Sequence, residues 1–360
     1  MSRIYLDDAG SAPVLPEVAE ALRSVPQGNP SSPHAEGRAA RAALDRARDT
    51  AAIAMGARGV EITFVSSGTE AVNLALFGTG GRLVTWEAEH QSVLGAARRA
   101  QLLGREVLVA PVDGTATVDA DAIKPGTALV SVGLANNEVG TIQPVAEVIA
   151  RAHQVGALVH VDACAGLRWS SLPNGADLVS ISGHKLGAGR GGLLFVRDGI
   201  RIDPLLYGGP QEWGRRAGFE DVAAAIAVAT ALSVCTLQGD ARRAAAERQS
   251  RLLRDTLADL GGTVTGAEKR LPNYATCTFA DRRGEDMLLA LDLEGIAASS
   301  GSACASGSLD PSHVLLAMGL TMEQALGSLR LTTGYATTDD EVTRTVEVLC
   351  RVLRRVRSHA

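Results

Sequence analysis

Six short apolar runs punctuate the middle of the chain: 82-RLVTW-86, 106-EVLVA-110, 128-ALVSV-132, 157-ALVHVDA-163, 177-DLVSIS-182 and 192-GLLFVR-197. Each has the length of a strand, and apolar residues tend to follow one another rather than alternate. Strands of that kind are covered on both faces. Helix-like segments lie between several of them, among them 145-VAEVIARAHQVG-156. Doubly covered strands separated by helices pack as a mostly parallel sheet with helices on its two sides, so the expected class is α/β. From about residue 243 the pattern changes. A long amphipathic helix, 243-RAAAERQSRLLRDTLADL-260, precedes weaker strand and helix signals. This predicts a large α/β domain over 13–242 and a smaller α+β domain over 1–12 and 243–360.

Composition narrows the function. The net charge is −5, no basic run stands out and only 3% of residues are aromatic, which argues against nucleic acid as a partner. No leader and no membrane-spanning run is read, so no membrane partner is expected and the cytoplasm is the expected location. The five cysteines, Cys164, Cys235, Cys277, Cys304 and Cys350, form neither a CxxC pair nor a zinc spacing. No metal is expected. Cys164, Cys235 and Cys350 sit in apolar segments and read as packing residues. Lysine occurs only at Lys124, Lys185 and Lys269. The glycines of 187-GAGRGG-192 do not make a dinucleotide fingerprint.

Polar residues at the ends of the predicted strands carry the chemistry, because ligands of parallel sheets bind at strand ends. Lys185 follows one strand in 180-SISGHKLG-187. It is either a loop lysine or an amine able to form a Schiff base. Asp162 ends another strand, as a helix cap or as a carboxylate for a cationic ring nitrogen. In 65-VSSGTEAVNLAL-76 a strand runs into a helix start. Ser67 and Glu70 have capping-box spacing, and the free N–H groups there suit a phosphate. His90 follows a strand as a packing residue or a proton carrier. Asn136 and Asn137 follow a further strand. Finally, 299-SSGSACASG-307 surrounds Cys304 with small residues and reads as a mobile loop bearing a thiol.

The order of these motifs resembles the cysteine desulfurases, within the class V aminotransferase group of pyridoxal phosphate (PLP) enzymes. The resemblance runs from 5-YLDDAGSAPV-14 and 28-GNPSSPHAEGRAARAALDRAR-48, through SSGTEAVN, EHQSV, NNEVG, HVDA, SGHK and 208-GGPQEWGRRAG-218, to SSGSACASG and 329-LRLTTGYAT-337. It implies the fold type I architecture of PLP-dependent transferases and a homodimer. It further implies that Lys185 holds PLP covalently, that Asp162 faces the pyridine nitrogen and that His90 stacks on the ring as an acid–base group. Gly68, Thr69, Ser182 and His184 would hold the phosphate. Asn137 would lie near cofactor and substrate, and Arg330 would take the substrate carboxylate. Cys304 would be the nucleophile that becomes a persulfide and passes sulfur from L-cysteine to an acceptor protein, in the branch with a long mobile cysteine loop. Iron–sulfur cluster assembly and tRNA thiolation are the destinations this resemblance suggests.

Two departures stand out. Ala165 replaces a glutamine that in the family bonds the PLP phenolic oxygen, and Phe219 replaces a threonine that reaches the partner subunit's phosphate. The glycine loop after Lys185 is also about one residue short. These changes predict a weaker hold on PLP. The alternatives are a selenocysteine lyase, a cysteine sulfinate desulfinase or an epimerase of the same fold, and a non-catalytic sulfur-transfer scaffold.

Overall fold

The computed structural model describes residues 3–300 and 310–355. In chain order its strands are β1 (Ile4–Tyr5), β2 (Ile62–Val65), β3 (Arg82–Trp86), β4 (Val107–Ala110), β5 (Thr127–Gly133), β6 (Leu158–Asp162), β7 (Leu178–Ser182), β8 (Gly192–Val196), β9 (Thr263–Val264), β10 (Tyr274–Thr278), β11 (Ile296–Ala297) and β12 (Ser328–Thr332). Seven of them form one sheet in the order β2-β8-β7-β6-β5-β3-β4. All its pairings are parallel except those of β8, which runs against both neighbours. The C-terminal ends of β2, β3, β5, β6 and β7 therefore share one edge.

Helices cover both faces, as the doubly apolar strands require. Residues Gly68–Phe77 and Gln91–Leu102 pack over Leu83, Leu129, Leu178 and Leu194 on one side. On the other side Ala35–Met55, Val145–Gln154 and the first half of a 38-residue helix, Val222–Asp259, pack over Val84, Val130, Val159 and Val179. A second core joins Ile4 and Leu6 to Leu253, Leu257, Ala275, Leu329 and Leu349. Its sheet is antiparallel, ordered β12-β10-β9.

The expected helix over 243–260 is the second half of that longer helix, which passes without a break through residue 242. The expectation that no segment is long and apolar enough to span a membrane is corrected here. Val222–Asp259 contains such an 18-residue window, 61% of it buried. Its Val222, Ala225, Val228, Ala229 and Leu232 belong to the main core, so its apolar character is that of a core helix.

Candidate active site

The shared strand edge opens into a cleft. Gly68, Thr69, His90, Asn137, Asp162, Ser182, His184, Lys185 and Arg330 all line it, brought together from positions up to 262 residues apart. Cys304 lies outside the described residues.

One wall is the start of helix Gly68–Phe77. Ser67 caps it, accepting from the Glu70 N–H at 3.2 Å. Glu70 reaches back to the Ser66 N–H rather than to Ser67, at 2.8 Å, and also takes Arg216 at 3.0 Å. A β-carbon on Gly68 would meet Cys164 Sγ at 2.6 Å and Ser182 Cβ at 2.9 Å. Only glycine lets the helix start approach β6 and β7 this closely. Ser182 Oγ and His184 Nδ1 lie 2.8 Å apart beside it.

Lys185 sits on the short helix Gly183–Leu186, directly after β7. Asp162 ends β6 and is buried, and its Oδ1 accepts from the Cys164 N–H at 3.0 Å. Behind it His160 is fully buried, 2.9 Å from Ser131 Oγ and 2.7 Å from Ser180 Oγ. Burial pushes its pKa down to about 4, so it is a neutral strut under the carboxylate.

His90 caps helix Gln91–Leu102, and its Nδ1 accepts from the Ser92 N–H at 3.0 Å. Burial first, then the Lys185 charge, lower its pKa. The imidazole is therefore neutral, with its proton on Nε2. Opposite stands Arg330 on β12, also buried. It donates to the Asn137 carbonyl at 3.0 Å and to Asp7 at 3.0 Å. The Asn136 side chain instead braces its own turn, donating to the Ala88 carbonyl and accepting from Glu138 and Val139.

Residues not singled out from the sequence complete the cleft, Trp86, Glu89 and Gln143, and Cys164, expected only as a packing residue, lines it too. Glu89 accepts from the Gly133 N–H at 2.9 Å, and burial, aided by the Asp162 charge, raises its pKa to about 8. Glu89 is thus a neutral acid at pH 7. Its place immediately before His90 was the only local signal. The N-terminal segment that carries Ala9 and Gly10 into the cleft is pinned by Asp8, which holds Arg168 at 2.8 and 3.0 Å beneath the Tyr335 ring. Of the two departures, Ala165 lines the cleft, whereas Phe219 does not; it is 63% exposed, and its carbonyl accepts from Arg216 at 3.3 Å.

The profile of the aminotransferase class-V family matches residues 4–345. The chain belongs to that family. Within it the chain groups with the cysteine desulfurases. It is 38% identical to cysteine desulfurase IscS of Dictyoglomus turgidum, over 99% of this chain and 95% of that protein. It is 39% identical to cysteine desulfurase IscS 1 of Archaeoglobus fulgidus, over 98% of each. Among solved structures it resembles a NifS-like protein with a TM-score of 0.91 at 29% identity, covering 98% of this chain and 100% of that one. A NifS-like protein from Rickettsia africae gives 0.88 at 28% identity, covering 98% and 99%. The mostly parallel sheet with its small antiparallel partner is thus the fold that the resemblance implied.

The family uses PLP, and the residues present fit it. The cleft offers an anion seat of helix N–H groups and hydroxyls, a buried carboxylate for a ring nitrogen, an amine and a neutral imidazole. The close approach enforced by Gly68 is what an N–H cradle needs.

Proposed function

We propose that this protein is a PLP-dependent cysteine desulfurase. It takes sulfur from L-cysteine, releases L-alanine and holds the sulfur as a persulfide on Cys304 for an acceptor protein. The observation that carries this reading is the convergence of Lys185, Asp162, His90 and a helix start in one cleft, with a buried arginine opposite.

Gly68, Thr69, Ser182 and His184 would hold the phosphate, Asp162 the ring nitrogen, and Lys185 the cofactor's reactive carbon. Bound PLP supplies an electron-poor ring that accepts the pair released when an α-proton leaves. The Lys185 amine would take that proton. Arg330 and Asn137 orient the substrate, the planar guanidinium matching its carboxylate. His90, neutral with its proton on Nε2, carries protons at the substrate's leaving side. The Cys304 thiolate then attacks the substrate sulfur. A sulfur–sulfur bond forms, the substrate's carbon–sulfur bond breaks, and the pair left on carbon takes up a proton to give alanine. Cysteine and a thiol thereby become alanine and a persulfide, with no outside oxidant.

Such thiol chemistry suits a reducing, cytoplasmic compartment, in keeping with the four free cysteines among the described residues. A homodimer is supported by exposed Leu206, Tyr207 and Phe219, which line one groove, since clustered exposed apolar groups mark association surfaces. The test is Cys304→Ala. The variant is expected to keep PLP and bind cysteine, yet make no alanine and carry no persulfide. Full alanine production by the variant would sink the assignment.

A further inference from the structure

Arg330 reaches the cleft from the middle of β12, with its side chain only 6% exposed. A guanidinium carries a single N–H on Nε and a pair on each terminal nitrogen. Nε of Arg330 is sealed in, with no hydrogen-bond partner among the described residues. Nη1 gives one N–H to the Asn137 carbonyl at 3.0 Å, and the Tyr274 hydroxyl donates to that same carbonyl at 3.2 Å. Nη2 gives one to Asp7 Oδ1, also at 3.0 Å. One N–H on each terminal nitrogen is left over, a pair that matches the two oxygens of a carboxylate. A side-on grip would need the sealed Nε.

Asp7 itself does not line the cleft. It pairs with Thr332 at the end of β12, and its carbonyl accepts from the Gly10 N–H at 3.0 Å. Its Oδ2 lies against Gly10, where an added β-carbon would meet it at 2.6 Å. The carboxylate is therefore held between its own turn and the guanidinium.

We propose that Asp7 is a positioning residue for the substrate. It holds Nη2 from outside the cleft while the Asn137 carbonyl holds Nη1, and so turns the terminal edge of Arg330 toward the substrate carboxylate. The proposal rests on the reading of Arg330 as that carboxylate's partner. It gives the opening motif, 5-YLDDAGSAPV-14, a part in substrate recognition.

The test titrates PLP-loaded protein with L-alanine and, separately, with L-alaninamide, following the change in the visible band on binding. Asp7→Ala leaves Nη2 without its anchor. It is expected to bind alanine about tenfold more weakly or worse, the loss typical of a hydrogen bond between charged groups. Alaninamide brings no carboxylate to Arg330 and should bind as it does to wild type. Asp7→Asn keeps an acceptor for Nη2 and should recover most of the loss. Gly10→Ala leaves Asp7 in the chain but drives a β-carbon against Oδ2, and it should weaken alanine selectively as well. Wild-type affinity for alanine in Asp7→Ala would overturn the proposal. So would tighter binding of alanine, since Asp7 would then compete with the substrate carboxylate, and so would an equal loss of both ligands, which marks a general disturbance of the N-terminal segment. Wild-type protein that binds alanine no better than alaninamide would overturn the reading of Arg330, and wild-type protein that takes up no PLP the reading of the cleft, each taking the proposal with it.

Discussion

At the scale of single residues, the cleft separates two carboxyls that share one wall. Burial keeps one of them, Glu89, protonated, its pKa about 8 against an ordinary 4.5. Between those two values the folded chain binds more protons than the unfolded one, so stability falls as pH rises through that window. Glu89→Gln keeps a neutral group that can still accept from Gly133. Thermal unfolding from pH 5 to 9 is expected to show a shallower fall for the variant than for wild type. Parallel curves would mean that Glu89 is ionised throughout. Eight of the nine cleft residues named from the sequence were legible in motifs at or just after strand ends, whereas Arg330, in the middle of β12, was named only through the family resemblance. Glu89 and Trp86 were not legible. Glu89 takes its meaning from a partner distant in sequence, Gly133, and a glutamate or a tryptophan closing an apolar run carries no local sign of its place in a cleft.

At the scale of elements, the positions of β3 to β8 were legible to within about a residue, because doubly covered strands are almost continuously apolar. Helix Val222–Asp259 was only half legible. Its first half, 222-VAAAIAVATALSVC-235, is apolar all round, which erases the period that marks a helix. Nor could a run of apolar residues reveal the direction of β8. The Asp8–Arg168 pair, which ties the N-terminal segment to the turn after β6, was invisible for a different reason. It joins charges 160 residues apart. Burial here outweighs the guanidinium and pushes Asp8 up to about 6. Arg168→Met would strand that carboxyl in the interior, and removing one member of a buried pair costs about 3–5 kcal/mol. Denaturant titration is expected to show a loss of that order, largely restored by adding Asp8→Asn. Equal losses in the single and double variants would mean that the cost lies in packing around Tyr335 instead.

At the scale of the whole molecule, one helix belongs to two cores. Val222–Leu232 is part of the sheet's core, and Leu253 and Leu257 are part of the smaller one. The expected boundary at 242 therefore falls inside a rigid element rather than in a linker. The reversed strand β8 has a consequence for how the chain assembles. It pairs with β7 through a short connection that contains Lys185, from Ser182 with Gly192 to Leu178 with Val196. Its other neighbour, β2, pairs Val65 with Gly192 across a far longer loop. Local pairings close sooner than distant ones, because less chain entropy is lost before contact is made. Pulse-labelled hydrogen exchange during refolding is therefore expected to protect 178–196 before 62–65, and the opposite order would refute this sequence of events. The lysine's seat is then built early, while the helix start at Gly68 comes into place late. On the proposed reading, a half-made chain would offer a free aldehyde an amine but no anchor, and capture of the cofactor would become a checkpoint for the finished sheet.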